Sequence, residues 1–102
     1  MSDNKNTSIK YQLKFSNRFK KHLKLVTKRR KDNAKKIKEV SDMLQRGESL
    51  PERYHDHALT GNWIGHRECH IMPDLLLIYR IYENILILEL VDTGSHSDLF
   101  KK

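Results

Sequence analysis

An α+β fold is predicted for this 102-residue chain by three features: a strand-period segment near the start, two helix-period segments after it, and three strand-like runs in the second half. The expected order is β-α-α-β-β-β with a short C-terminal turn or helix. It gives an antiparallel sheet of about four strands with two basic helices on one face. The length suits one domain, and 37% hydrophobic content supplies one modest core. The polar residues 1–7 are expected to be a flexible tail, leaving 8–102 as the domain.

Each element has a local reason. In SIKYQLKFS, residues 8–16, Ile9, Tyr11, Leu13 and Phe15 alternate with polar residues, the period of a strand with one buried face. Ser16 is placed to cap a helix over Asn17–Lys28, with Phe19, Leu23 and Val26 on one stripe. Asp32 offers a second cap, and Ile37, Val40 and Leu44 form a stripe that stops near Gly47, so the helices make a hairpin turning at residues 29–32. Residues 50–65 read as a loop punctuated by Pro51, Gly61 and Gly65. HRECHIM, LLLIYRIY and ILILELV then read as strands, joined by Pro73-Asp74 and by a turn at Glu83-Asn84. Thr93-Gly94-Ser95 ends the last one. The core is expected from Leu13, Phe15, Leu76, Ile78, Ile87 and Leu90.

Charge divides the chain in two. Residues 1–47 hold fifteen Lys and Arg against four Asp and Glu, a balance of +11, while residues 48–102 balance at −4. The basic half is a surface for a polyanion, with Lys20, Lys21 and Lys24 outward on the first helix. A lysine face kept for solubility is the bland alternative. No segment has the length of apolar residues a membrane span needs, and the start lacks the apolar core of a signal peptide. A cytoplasmic protein without a membrane partner is expected, and the single cysteine, Cys69, fits a reducing compartment.

Five of the six histidines fall in the second half: His55, His57, His66, His70 and His96. Strand alternation puts His66, Glu68 and His70 on one face and Arg67, Cys69 and Ile71 on the other. A Cys69-His70 nucleophile pair is thereby disfavoured, because neighbours on a strand point apart. A zinc site could draw on His55 and His57 with His70 or His96. The chain has no paired CxxC or HxxxH spacing, so no metal and no cofactor are expected. Acid–base chemistry on RNA suits these residue types better. A 2′-hydroxyl can attack its own phosphate if a base, an acid and positive charge are at hand, and histidine serves as base or acid near neutral pH. The alternative is a basic RNA- or DNA-binding module whose histidines are incidental.

The ordered set DHxLxGxWxGxRxxHxxPDxxLIY over residues 56–79, followed by TGxHxxLF over 93–100, resembles the YafQ branch of the RelE-like toxins of bacterial type II toxin-antitoxin systems. The resemblance runs from about Tyr11 to Phe100. It implies a small endoribonuclease that cuts messenger RNA in the ribosomal A site with histidines and an aspartate. Carried over by position, His57, His70, Asp74 and His96 are the catalytic candidates, and Phe100 borders the site and helps place a base. Arg67 matches the arginine of the pattern and is a candidate RNA-binding residue on that ground, with support of the sheet as its alternative role. His55 and His66 fall off the functional positions, His22 reads as surface, and Trp63 is expected to pack the loop onto the core. The resemblance further implies an acidic antitoxin of the RelB/DinJ kind, through which the complex would bind operator DNA.

Overall fold

The computed structural model describes residues 9–100, so the expected tail over residues 1–7 lies outside the described residues. The chain runs β1 (Gln12–Phe15), α1 (Asn17–Arg29), α2 (Asn33–Gln45), β2 (His57–Ala58), β3 (Arg67–Met72), β4 (Leu75–Tyr82), β5 (Ile87–Gly94) and α3 (His96–Phe100), with short 3-10 turns at Glu52–Tyr54 and Gly61–Trp63. The α+β class agrees with expectation, and so does the element order apart from one added short strand, β2. Among the described residues no helix is long and apolar enough to cross a membrane.

The sheet departs from expectation in two ways. It has five strands in the order β1-β5-β4-β3-β2, and β1 runs parallel to β5, from Gln12 opposite Ile87 to Phe15 opposite Leu90. Tight turns join β3 to β4 and β4 to β5 and force those pairs antiparallel, but no hairpin ties β1 to β5, so their relative direction is free of that constraint. The fifth strand is the two-residue β2, which lies antiparallel to β3 inside the segment expected to be a loop. β1 itself starts later than its periodicity suggests, because the N–H groups of Lys10 and Tyr11 donate to Gln45 O at the end of α2 instead of to a strand.

Ser16 caps α1 as its position predicts, its hydroxyl accepting from Phe19 N at 2.9 Å. Asp32 precedes α2 without a side-chain cap bond. The turn between the helices is held instead by the buried Asn33, whose amide donates to Val26 O at 2.9 Å.

The core is split by the sheet. Phe19, Val26, Ile37, Val40 and Leu44 of the helices pack on Tyr11, Cys69, Leu75, Leu77, Tyr79, Leu88 and Leu90. On the other face Leu76, Ile78 and Leu99 form a second cluster, with Leu59, Trp63, Val91 and Phe100 against it. The face expected to be open is thus roofed over β4 and β5, which is why β4 is buried on both sides from Leu75 to Tyr79. Phe15, expected in the core, is 43% exposed and stacks on Phe19, and the buried side chain here is that of Tyr11, just before β1. Ile87 and Leu13 are half-buried.

Candidate active site

Strand geometry decides which side chains meet. β3 alternates regularly up to His70, and its bulge falls only afterwards, between His70 and Met72. Glu68 and His70 therefore point to the side away from the helices, and Cys69 between them enters the helix-side core. β2 pairs His57 directly with Glu68. A two-residue strand with no visible pattern thus brings a loop histidine onto the sheet.

At this edge both imidazoles converge on one carboxylate. His57 Nε2 lies 3.1 Å and His70 Nε2 3.4 Å from the same oxygen, Glu68 Oε1. The Glu68 side chain is only 5% exposed, while those of His57 and His70 are 48% and 37% exposed. The second oxygen, Oε2, is buried and has no hydrogen-bond partner. A buried carboxylate is costly to keep unpaired, so the pair of rings is the natural destination of its charge. Glu68 was not among the residues singled out from the sequence. Its place on one face with His66 and His70 was legible, and a carboxylate between two histidines of a strand was the signal. His55, left out of the expected site, comes edge-on to His70 with ring centroids 5.9 Å apart.

His96 and Phe100 stand together at another corner of the same face. They open and close α3, with ring centroids 5.0 Å apart and perpendicular planes. Phe100 also meets Trp63, which in turn meets His66, so the aromatic side chains form a chain along the roof. Trp63 is half-buried and packs the loop onto this cluster, as expected. One helical turn cannot hold itself, and α3 is held at its start by a reciprocal cap: Asp98 N donates to Ser95 Oγ and Ser95 N donates to Asp98 Oδ2. Arg29, at the end of α1, donates through both terminal nitrogens to the same carboxylate. Arg29, followed by the Ser95 hydrogen bonds, holds the Asp98 carboxyl well below the usual carboxylate range.

The remaining candidates are placed apart. Asp74 is exposed in the β3–β4 turn, and its charge reaches Arg29. Arg67 projects to the opposite face from His70, where it pairs with Asp56 at 3.2 Å, and Asp56 also accepts from Tyr79 Oη. The structure ties Arg67 to Asp56 and does not bring it to the histidines. Lys20, Lys21 and Lys24 are exposed on α1, in the layer on the other side of the sheet from His57 and His70. His22, read as surface from its lysine neighbours, instead places Nδ1 2.6 Å from Oδ1 of the fully buried Asp92, whose other oxygen lies 2.8 Å from Arg18 Nε. Among the described residues, the group whose donor atoms approach closely enough to share a metal ion is His57, Glu68 and His70, all within 4.8 Å of one another.

Two partly exposed imidazoles meet on a buried carboxylate, and a histidine–phenylalanine pair stands on a capped turn at another corner of the same face; imidazoles so placed can accept and deliver protons. Relatives share the frame that carries these side chains. The mRNA interferase toxin YafQ of Escherichia coli K12 is 36% identical over 92 residues, 90% of this chain and 98% of its own. The E. coli DinJ-YafQ complex contains a chain that superposes with a TM-score of 0.78 at 34% identity, covering 88% of this chain and 98% of that one. A metal-bound toxin from Helicobacter pylori superposes with a TM-score of 0.81 at 39% identity, covering 88% and 99%. Residues 11–101 match the family described as the bacterial toxin of type II toxin-antitoxin systems, YafQ. With that match spanning nearly the whole chain and the fold agreeing, this protein belongs to the YafQ family of toxins.

Proposed function

We propose that this chain is an mRNA interferase, an endoribonuclease that cuts messenger RNA in the ribosomal A site and is silenced by an antitoxin. The observation that carries the reading is the convergence of His57 and His70 on the buried Glu68. A carboxylate so placed fixes the ring orientation and stabilises an imidazolium, the form a histidine takes after accepting the 2′-hydroxyl proton or before protonating the leaving 5′-oxygen. His96 supplies a third ring, Phe100 a surface for a base, and Asp74 a carboxylate at the end of the same sheet. The attack on phosphorus is made by the RNA itself, so the products are a 2′,3′-cyclic or 3′-phosphate and a free 5′-hydroxyl. Replacing the 2′-hydroxyl of the scissile nucleotide by hydrogen removes the nucleophile and abolishes cleavage.

The distribution of charge supports the partners. Lys20, Lys21 and Lys24 are separated from the histidines by the sheet, so they suit docking to ribosomal RNA phosphates rather than contact with the scissile one. The ribosome then presents the codon in cleavable geometry, and free RNA is a poor substrate. A cytoplasmic location follows from that substrate. The +11 half suits an acidic antitoxin of the RelB/DinJ kind whose C-terminal segment folds on binding, and the complex reaches operator DNA through the antitoxin. Mapping of cut positions on translating ribosomes tests the reading. Alanine at His57, His70, Asp74 or His96 is expected to lower the rate by roughly 10²–10⁴-fold. Efficient cleavage of free messenger RNA at physiological salt, with no gain from ribosomes, or products bearing a 5′-phosphate, would overturn it.

A further inference from the structure

We infer that Asp56 is a positioning residue for the proposed ribonuclease: held by Arg67 and Tyr79 on the helix side of the sheet, it keeps β2 in register so that His57 meets Glu68 on the other side. The role rests on the acid–base function proposed above for His57. Little else holds β2 in place. The strand is two residues long and last in the sheet, with His57 opposite Glu68 and Ala58 opposite Arg67. Just beyond it, Leu59 N donates to His66 O at 2.9 Å. A slip of one residue would turn His57 to the helix side. On the other flank the chain leaves the 3-10 turn Glu52–Tyr54 through His55, which has the left-handed φ of +48°. A residue other than glycine persists there only where its surroundings fix it.

Asp56, between the two loop histidines, provides that fixing. Alternation along β2 sends His57 and Leu59 to the roof side, where Leu59 joins the apolar cluster, and sends Asp56 and Ala58 to the helix side. There Arg67 Nη2 donates to Asp56 Oδ2 at 3.2 Å, Arg67 Nε lies 3.4 Å from both carboxylate oxygens, and Tyr79 Oη donates to Oδ1. Arg67 and Tyr79 stand opposite one another on β3 and β4, and Tyr79 is buried. One carboxylate thus ties the residue before β2 to the two strands beyond it. Burial, and after it the hydrogen bond to Asp56, push the Tyr79 hydroxyl pKa up, so the phenol stays a donor.

Asp56, Arg67 and Tyr79 are on the opposite face from His57, Glu68 and His70, so Asp56 reaches the site only through the peptide link to His57. A misplacement of about 1 Å at a reacting group can cost roughly 100-fold in rate, which is the scale on which such a link acts. The same pairing occupies the charge of Arg67 that a phosphate contact would need.

The test separates positioning from folding, and both from the proposed activity. In single-turnover cleavage on programmed ribosomes, Asp56→Ala is expected to lower the rate at saturating ribosomes by roughly tenfold or more and to leave the half-saturating ribosome concentration within about twofold. In a His57→Ala background the same change is expected to cost less than about twofold, since its route to the site is already gone. An equal loss in both backgrounds marks a role in folding alone and overturns the inference. Asp56→Asn, which keeps an acceptor for Tyr79 Oη, is expected to recover most of the loss; no recovery also counts against the clamp. If Asp56→Ala fails to fold, Tyr79→Phe, which removes one donor, takes its place with the same expected direction. A measurement without RNA decides the positioning by itself. The His57 and His70 rings, with centroids 6.0 Å apart, should give a proton–proton Overhauser contact that Asp56→Ala weakens, while the contact between Trp63 and Phe100, at 6.4 Å, persists. An unchanged His57–His70 contact overturns the inference whether or not the chain cuts RNA, and its loss in a chain that never cuts overturns the proposed activity alone.

Discussion

Glu68→Gln is the sharpest perturbation of the proposed chemistry, because it keeps the shape of the side chain and removes only its charge. In the unaltered protein an imidazolium at His57 or His70 faces a carboxylate oxygen at 3.1 or 3.4 Å. Unit charges at that separation attract by about 5 kcal/mol at an effective dielectric constant of ~20. Both rings are partly exposed, so water screens the pair, and about 2 kcal/mol is a fairer figure for the part lost with the charge. That corresponds to a rate loss of roughly 30-fold if one imidazolium forms in the transition state. Single-turnover cleavage of messenger RNA on programmed ribosomes measures it, with thermal unfolding of the same preparations as the control. The unfolding temperature should change little, because the glutamine loses a costly buried charge while gaining an amide that needs partners. A variant that folds normally and cuts within threefold of the unaltered chain would refute the electrostatic role given to Glu68.

Three other outcomes follow from groups outside that cluster. Asp98 is ionised well into acid because Arg29 and Ser95 hold its carboxyl pKa down, so its stabilising contribution is complete above the unfolded value of about 3.9 and is lost as pH falls through the lower folded value. Melting curves should therefore show Asp98→Asn less stable than the unaltered chain at neutral pH, with the difference closing only below about pH 4. The Cys69 thiol is pushed up to about 12 by burial, so an alkylating reagent at pH 8 should leave it untouched in the folded chain and modify it quickly in denaturant, as mass spectrometry can report. Gly94 has a φ of +154°, and a Cβ there would sit 2.7 Å from Asp98 Cβ. Gly94→Ala should cost about 1–3 kcal/mol in urea unfolding and lower cleavage as well, since α3 carries His96.

Local pattern made much of this legible. Ser16 and the Phe19 stripe marked α1, and the alternation of Arg67 to Ile71 put His70 and Cys69 on opposite faces. Non-local pairing was not legible. Nothing in QLKF says that it will lie parallel to β5, and His57-Ala58 is too short to show a strand period. Phe15 is more exposed than its alternation suggests because alternation marks a face without saying whether anything covers it. His22 departs from its surface pattern for the converse reason: its lysine neighbours describe the outside of α1, while its partner Asp92 is seventy residues away. An aspartate closing the apolar run ILILELV was the available hint. The family pattern named His57, His70, Asp74 and His96, but it did not mark Glu68 as the carboxylate beneath two of them, which only the pairing of β2 with β3 reveals.

The pairing of β1 with β5 also bears on when the protein can act. During synthesis the basic helices emerge early, with their apolar stripes and β1 awaiting a partner that is encoded near the other end of the described chain. The sheet cannot close on a partial chain, because β5 is the neighbour of both β1 and β4. His96 and Phe100 follow β5 and arrive later still. A nascent chain that lacks β5 and α3 thus has neither a closed sheet nor the His96–Phe100 pair, and the proposed activity must wait until both segments have emerged.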